Sequence, residues 1–184
     1  REIFEYLDRT DNVIRPANYG DGVWGKGYGI IDKGAYKVGV INLLGRVYLE
    51  GHADPFETAE NIIKELKEET NIIFVDFHAE ATSEKRALGL YLDGKVSAFF
   101  GTHTHVQTAD EQILEKGTGY ITDLGMTGPR DSVLGVKKEI IINRLKSNDM
   151  SKFELANGDC MLCGCIFEVD EKSGKTLRVE RICI

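Results

Sequence analysis

Asn71-Ile72-Ile73-Phe74-Val75-Asp76-Phe77-His78 and, further along, Phe99-Phe100-Gly101-Thr102-His103-Thr104-His105 decide the fold. Each begins as a short apolar run and ends in histidine. Asn71–Phe77 and Val96–Phe100 have the length and continuous hydrophobicity of strands buried on both sides. Ser83–Leu92, between them, reads as a helix. Strand, helix and strand in succession predict an α/β sheet covered on its faces. In such sheets ligand sites are built at the carboxyl ends of the strands. His78, His103 and His105 all fall just there.

Working outward, residues 56–69 predict an amphipathic helix, with Ala59, Ile62, Ile63 and Leu66 at 3.6-residue spacing beneath a Glu/Lys-rich outer face. Tyr28–Ile31 and Lys37–Leu43 predict two strands joined by a turn at Asp32–Ala35. Before them, residues 12–26 are loop-like, punctuated by Pro16, Gly20, Gly22 and Gly25, and residues 1–8 carry a short helical pattern. Gly119–Thr122 predicts a strand and Lys137–Leu145 a helix. The tail turns to β structure, with one hairpin expected through Asn157-Gly158 from Phe153–Ala156 to Cys160–Val169 and a second through Glu171–Lys175 into Leu177–Ile182. No repeat or inter-domain linker interrupts the chain, so residues 1–184 are expected to form one domain.

Hydrophobic residues make up 42% and charged residues 29% of the 184, ordinary proportions for a globular protein. No apolar run reaches the roughly 18 residues a membrane helix needs, and residues 1–8 lack the apolar core of a signal peptide. A net charge of −7 opposes general nucleic-acid binding, because a phosphate backbone would be repelled on average. It does not oppose a phosphate ester held by metal cations. The chain opens without Met and inside an apparent helix, so a fragment of a longer protein is expected. Reduced cysteines and a cytoplasmic location are the simplest reading of the thiols.

Of the four histidines, His52 reads as a loop residue without a ligand role. If His103-x-His105 is extended, its two imidazoles share one side and can face one ion or two ions about 3.5–4 Å apart, with His78 adding a third nitrogen. Imidazole suits Zn, Fe or Mn-type sites better than Mg or Ca. Asp76, Glu80, Asp110 and Asp123 are carboxylates nearby in sequence, none at a decisive spacing. Asp76, two residues before His78, is in a position to accept an imidazole N–H. Cys160, Cys163, Cys165 and Cys183 lack the two spaced pairs of a structural zinc site, and Cys163 and Cys165 read as small packing residues on one strand face.

These residues carry a resemblance. Gly101-Thr102-His103-Thr104-His105 resembles the Gly-His-x-His signature of calcineurin-like metallophosphoesterases, and His78 sits where that superfamily has an isolated histidine. Longer stretches resemble the YmdB-type branch: Arg15–Tyr19, Asn71–Lys85, Gly101–Asp110 and Tyr120–Pro129. The resemblance implies a four-layer αββα sandwich, of which this chain holds the C-terminal two-thirds. It also implies a two-metal site, with His78 and His103 on one ion, His105 on the other, and Fe or Mn favoured over Zn. The family's remaining ligands, including a bridging Glu, and its general-acid His would lie upstream of residue 1, leaving no catalytic residue of that kind in this chain. The implied activity is hydrolysis of phosphodiesters such as 2′,3′-cyclic nucleotides, by a homo-oligomer, impaired in this truncated form. In the loop Asp123–Pro129, Thr127 is a candidate to orient the phosphate, while Arg15 and Asn18 are expected to hold their own loop. The alternatives are a non-catalytic nucleotide-binding or regulatory module, and a mononuclear zinc hydrolase using His78, His103 and His105.

Overall fold

The computed structural model describes residues 3–20, 22–49, 53–147 and 150–184. In chain order its elements are helix α1 (Phe4–Arg9), a 3-10 turn (Ala17–Tyr19), strands β1 (Tyr28–Asp32) and β2 (Lys37–Leu44), and helix α2 (Pro55–Leu66). Strand β3 (Ile72–His78), helix α3 (Thr82–Tyr91), and strands β4 (Ala98–Thr102), β5 (Gln112–Ile113), β6 (Gly119–Ile121) and β7 (Thr127–Pro129) follow. Helix α4 (Lys138–Ser147) and strands β8 (Cys160–Val169) and β9 (Thr176–Cys183) complete it.

Two sheets result. One has six strands in the order β1-β2-β3-β4-β6-β5, and the other has three in the order β7-β8-β9. Strands β2, β3, β4 and β6 are parallel, with antiparallel β1 and β5 at the edges. The α/β class, the parallel core and the second sheet of the expected sandwich are all present. Among the described residues no helix is long and apolar enough to cross a membrane.

Helix α2 forms where expected. Asp54 caps it by accepting from the Phe56 and Glu57 amides, and Pro55 occupies the first turn, where no amide is needed. The predicted stripe of Ala59, Ile62, Ile63 and Leu66 is buried. It packs over Ile41 and Leu43 of β2 and Ile73, Val75 and Phe77 of β3, which lie on the same face of the large sheet. Helix α3 continues that layer, with Leu88 in the same core and Gly89 giving close access to the Tyr120 ring, which stacks on Phe99 at 5.6 Å.

The opposite face of the large sheet meets the small sheet. Phe167 of β8 lies edge-on to Phe74 at 5.9 Å and near Phe100 at 6.3 Å, and the Thr176 hydroxyl donates to the Ser97 carbonyl at 2.7 Å. Between the sheets is a cleft of about 420 Å³, lined mainly by Val38, Val40, Ile72, Phe74, Phe100 and Phe167.

One predicted turn does not form. Asn157-Gly158 does not close a hairpin. Phe153–Ala156 is no strand, and Leu155 makes only an isolated bridge to Val136. Strand β8 instead takes β7 as its partner, Thr127 opposite Leu162 and Pro129 opposite Cys160. A long-range partner has displaced the local turn, as β pairing energetics allow. The second hairpin forms as expected, with β8 running antiparallel to β9.

Gly101, beside the histidine loop, is held by proximity. A Cβ there would overlap the Thr122 backbone carbonyl and crowd Lys85. Gly101→Ala is therefore expected to destabilise the chain by about 1–3 kcal/mol, a fall in Tm of about 2–4 °C per kcal/mol. Thermal unfolding followed by circular dichroism reads it, and an unchanged Tm would contradict this packing.

Candidate functional site

Parallel pairing brings the polar ends of three strands to one edge. Asn42 is opposite Asp76, and His78 lies between Leu44 and Thr102. Side chains alternate along a strand, so Ile73, Val75 and Phe77 enter the helix-covered core while Phe74, Asp76 and His78 take the other face. That face is apolar at its amino end, in the cleft, and polar at its carboxyl end.

There the side chains form a chain of bonds. Asn42 Nδ2 donates to Asp76 at 2.8 Å, Thr102 Oγ1 donates to Asp76 at 3.3 Å, and His78 Nδ1 lies 3.2 Å from Thr102 Oγ1. A hydroxyl has a single proton to give. With that proton directed at Asp76, Thr102 accepts from His78, which assigns the imidazole hydrogen to Nδ1 and leaves the Nε2 lone pair facing outward. Burial, and then the neighbouring His103, push the His78 pKa below its usual value, favouring the neutral ring. Burial pushes Asp76 up, against the opposing bonds from Asn42 and Thr102. The expected imidazole acceptor role of Asp76 is thus exercised through a hydroxyl rather than directly.

His78 Nε2 meets His103 Nδ1 at 2.9 Å, the rings edge to face. On its far side His103 Nε2 contacts the Glu80 carboxylate at 2.7 Å. Two imidazole nitrogens this close share a proton or, equally, a cation that replaces it. One nitrogen is already stripped of hydrogen by its hydroxyl partner. The donor set thus fits half the coordination of one N-ligated metal ion.

The expected extended His103-x-His105 segment is not what forms. Strand β4 ends at Thr102, and both histidines have positive φ, 108° and 64°. The alternation of an extended strand therefore does not apply to the two imidazoles. His105 is exposed, and among the described residues no hydrogen bond or ring contact joins it to His78 or His103. Nor does any group of three or more His, Cys, Asp or Glu side chains among the described residues form an arrangement able to hold a metal ion. Thr127 stands exposed at the start of β7. His52 lies outside the described residues.

The turn carrying the histidines is fixed from below by Asp123, one of the candidate carboxylates, paired with Lys85, which sequence reasoning did not single out. Lys85 Nζ contacts Asp123 at 2.8 Å, with side chains 1% and 0% exposed. The same carboxylate oxygen accepts from the Thr104 amide at 3.0 Å and its hydroxyl at 2.7 Å, while its other oxygen accepts from the Gly125 amide at 2.9 Å. Burial raises the Asp123 pKa, but these donors outweigh it and hold the carboxyl below its ordinary range. Gln107 ties the outgoing loop to the small sheet through the carbonyls of Gly164 and Ile182. Arg15 bonds to carbonyls of its own glycine-rich loop, and buried Asn18 staples that loop to Leu44 and Ala53. Both are loop-holding roles, as expected.

A family model described as YmdB-like protein matches residues 1–182. The chain is 50% identical over 184 residues to a 2′,3′-cyclic-nucleotide 2′-phosphodiesterase of Bacillus subtilis, covering all of this chain and 70% of that protein. Among solved structures, a hypothetical protein from Thermus thermophilus superposes with a TM-score of 0.90 at 34% identity, covering 100% of this chain and 71% of the other. A phosphatase from Mycoplasma pneumoniae gives 0.88 at 34% identity, covering 100% and 67%. The chain spans 70%, 63% and 64% of the lengths of the curated relatives it matches.

Removing Lys85 would strand a buried carboxylate, at a cost of about 3–5 kcal/mol. Lys85→Met is therefore expected to lower Tm sharply at pH 7. The wild-type pair contributes stability above the unfolded carboxylate pKa of about 3.9 and loses it as the pH falls through the lower folded value. In the variant the unpaired carboxyl titrates upward, so acidification neutralises it and the deficit should shrink between pH 7 and 4. Thermal scans of both proteins across that range check the sign.

Proposed function

The chain belongs to the YmdB-like protein family, a family of phosphoesterases, and from that premise we propose that it contributes the histidine half of a phosphodiesterase site acting on small phosphodiesters of the 2′,3′-cyclic nucleotide class. The observation that carries this reading is the 2.9 Å meeting of His78 Nε2 and His103 Nδ1 at the carboxyl edge of the parallel sheet. His78 and His103 would hold one metal ion and His105 a second, with Fe or Mn favoured and Zn compatible. Such ions, when bound, supply an activated water and neutralise charge developing on the phosphoryl oxygens.

The chain's own residues prepare the site. Thr102 and Asp76 favour the His78 proton on Nδ1, which leaves the Nε2 lone pair for a ligand. Glu80 orients His103 from its far nitrogen. Lys85 and Asp123 fix the turn between His103 and His105 through Thr104. Thr127, at the mouth of β7, is offered as a phosphate contact through its hydroxyl. Three imidazoles do not complete a bridged pair of ions. A bridging carboxylate and a proton donor for the leaving alkoxide would come from outside these 184 residues, and the rate of the 184-residue chain alone is expected to be weak. The same reading has the protein act in the cytoplasm as a homo-oligomer, without general nucleic-acid binding at a net charge of −7.

Binding of Mn(II) or Zn(II), followed by isothermal calorimetry on wild type and on Thr102→Val, is the direct test. The variant keeps both imidazoles and loses the hydroxyl that fixes the His78 tautomer, and a 10–100-fold weaker Kd is expected. Hydrolysis of 2′,3′-cAMP is measured alongside, with His103→Ala as control. A fast metal-dependent rate from the wild-type chain would show that these residues suffice and that the half-site account is wrong. Tight single-zinc binding untouched by His103→Ala would remove the histidine pair from the site altogether.

A further inference from the structure

Strands β8 and β9 place Cys163 directly opposite Cys183. The neighbouring pair, Leu162 and Ile184, exchanges both backbone bonds, at 2.8 and 3.1 Å. In an antiparallel ladder hydrogen-bonded and non-hydrogen-bonded pairs alternate, so the two cysteines occupy a non-hydrogen-bonded pair, where Cα atoms approach to about 4.5 Å and side chains come closest. That separation lies within the roughly 4.4–6.8 Å a disulfide accommodates. The two Sγ atoms are 3.6 Å apart and both thiols are free. Neither is a core residue, Cys163 being half-buried and Cys183 exposed.

The other two cysteines have no such partner. Cys165 faces Arg181 across the ladder, and burial, followed by the charge of Glu111, pushes its thiol up to about 11, which suppresses the reactive thiolate. Cys160 faces Pro129.

The next pair along the ladder is bonded to the segment that follows the histidines. Gln107 Nε2 donates to the carbonyls of Gly164 and Ile182, which are the next residue pair along the ladder, at 3.0 and 2.9 Å. The Cys163 amide donates to the Met126 carbonyl at 3.1 Å. A bond between the two sulfurs would thus lock the strand pair to which the histidine loop is tied.

We propose that Cys163 and Cys183 form a redox modification site, a cross-strand dithiol that hydroperoxide-class oxidants convert to a disulfide joining β8 to β9 beside the histidine loop. The exposed Cys183 thiolate attacks a peroxide oxygen and breaks the O–O bond, forming a sulfenic acid and releasing hydroxide, which takes up the proton Cys183 gave up and becomes water. The Cys163 thiolate then attacks the Cys183 sulfur and displaces hydroxide, which takes up the thiol proton as a second water. Overall, two thiols and one hydrogen peroxide give one disulfide and two waters, the sulfurs being oxidised and the peroxide reduced. Burial, with Cys183 adding to it, raises the Cys163 pKa. Cys183, the more exposed of the two, is the sulfur the oxidant reaches, and Cys163 opposite it is the resolving sulfur.

The experiment treats the fully reduced chain with stoichiometric hydrogen peroxide at pH 8 and follows it by intact mass, thiol titration and non-reduced peptide mapping. A loss of about 2 Da per chain, a fall from four titratable thiols to two and a Cys163–Cys183 linked peptide are expected. The linked peptide should be absent from Cys183→Ser and from Cys163→Ser. Oxidised wild type should gain on the order of 5–10 °C in Tm, reversed by dithiothreitol, with slowed amide exchange at Gly164 and Ile182. Linkage through Cys160 or Cys165, disulfide-linked dimers, or accumulation of sulfinic acid without a crosslink would each overturn the proposal. The wild-type map alone decides this, even if a serine variant folds poorly.

Discussion

An ammonium and a carboxylate, both almost fully removed from water, hold the histidine-bearing edge of this protein together. Lys85 reaches from α3 beneath the sheet to Asp123, just past β6, and Asp123 in turn grips the peptide amide and hydroxyl of Thr104. Desolvating two charges costs several kcal/mol per ion, and the geometry must recover it through complete hydrogen bonding. Here it does. The carboxylate collects the Lys85 amine, two donors from Thr104 and the Gly125 amide, which leaves it saturated. The positive φ angles of His103 and His105 persist above that anchor, since a turn so constrained has little alternative.

Much of the frame was legible beforehand. The strands expected at Asn71–Phe77 and Val96–Phe100, the helix expected between them, and helix α2 with its four-residue stripe all follow from short-range pattern, the two strands forming as Ile72–His78 and Ala98–Thr102. Each is a case where local preference and burial agree. The Asn157-Gly158 hairpin failed because a turn preference is weak against a pre-aligned partner strand. Strand β7, three residues with a glycine and a proline, carries almost no local signal of its own.

The site was legible in its residue types and not in its geometry. Histidines after buried strands marked the candidate edge, but alternation could not reveal that the backbone leaves the strand at Thr102. In sequence Lys85 is one charged residue on the helix expected at Ser83–Leu92. Only its partner, 38 residues away, makes it a core residue. Thr102 is a plain polar residue in sequence, and its importance lies in having one proton and two neighbours. Cys183 pairs with Cys163 through a register that no spacing rule encodes.

The alternation along β3 has an evolutionary consequence. Ile73, Val75 and Phe77 answer to the helical layer, while Phe74, Asp76 and His78 answer to the cleft and its polar rim. Selection on stability and selection on chemistry therefore act on interleaved positions of one strand, and substitutions on one face leave the other free to drift. A single inserted residue would exchange the two sets at once. Point substitution at the polar rim leaves the helix-facing set in place, whereas a change of length within β3 disturbs both faces together.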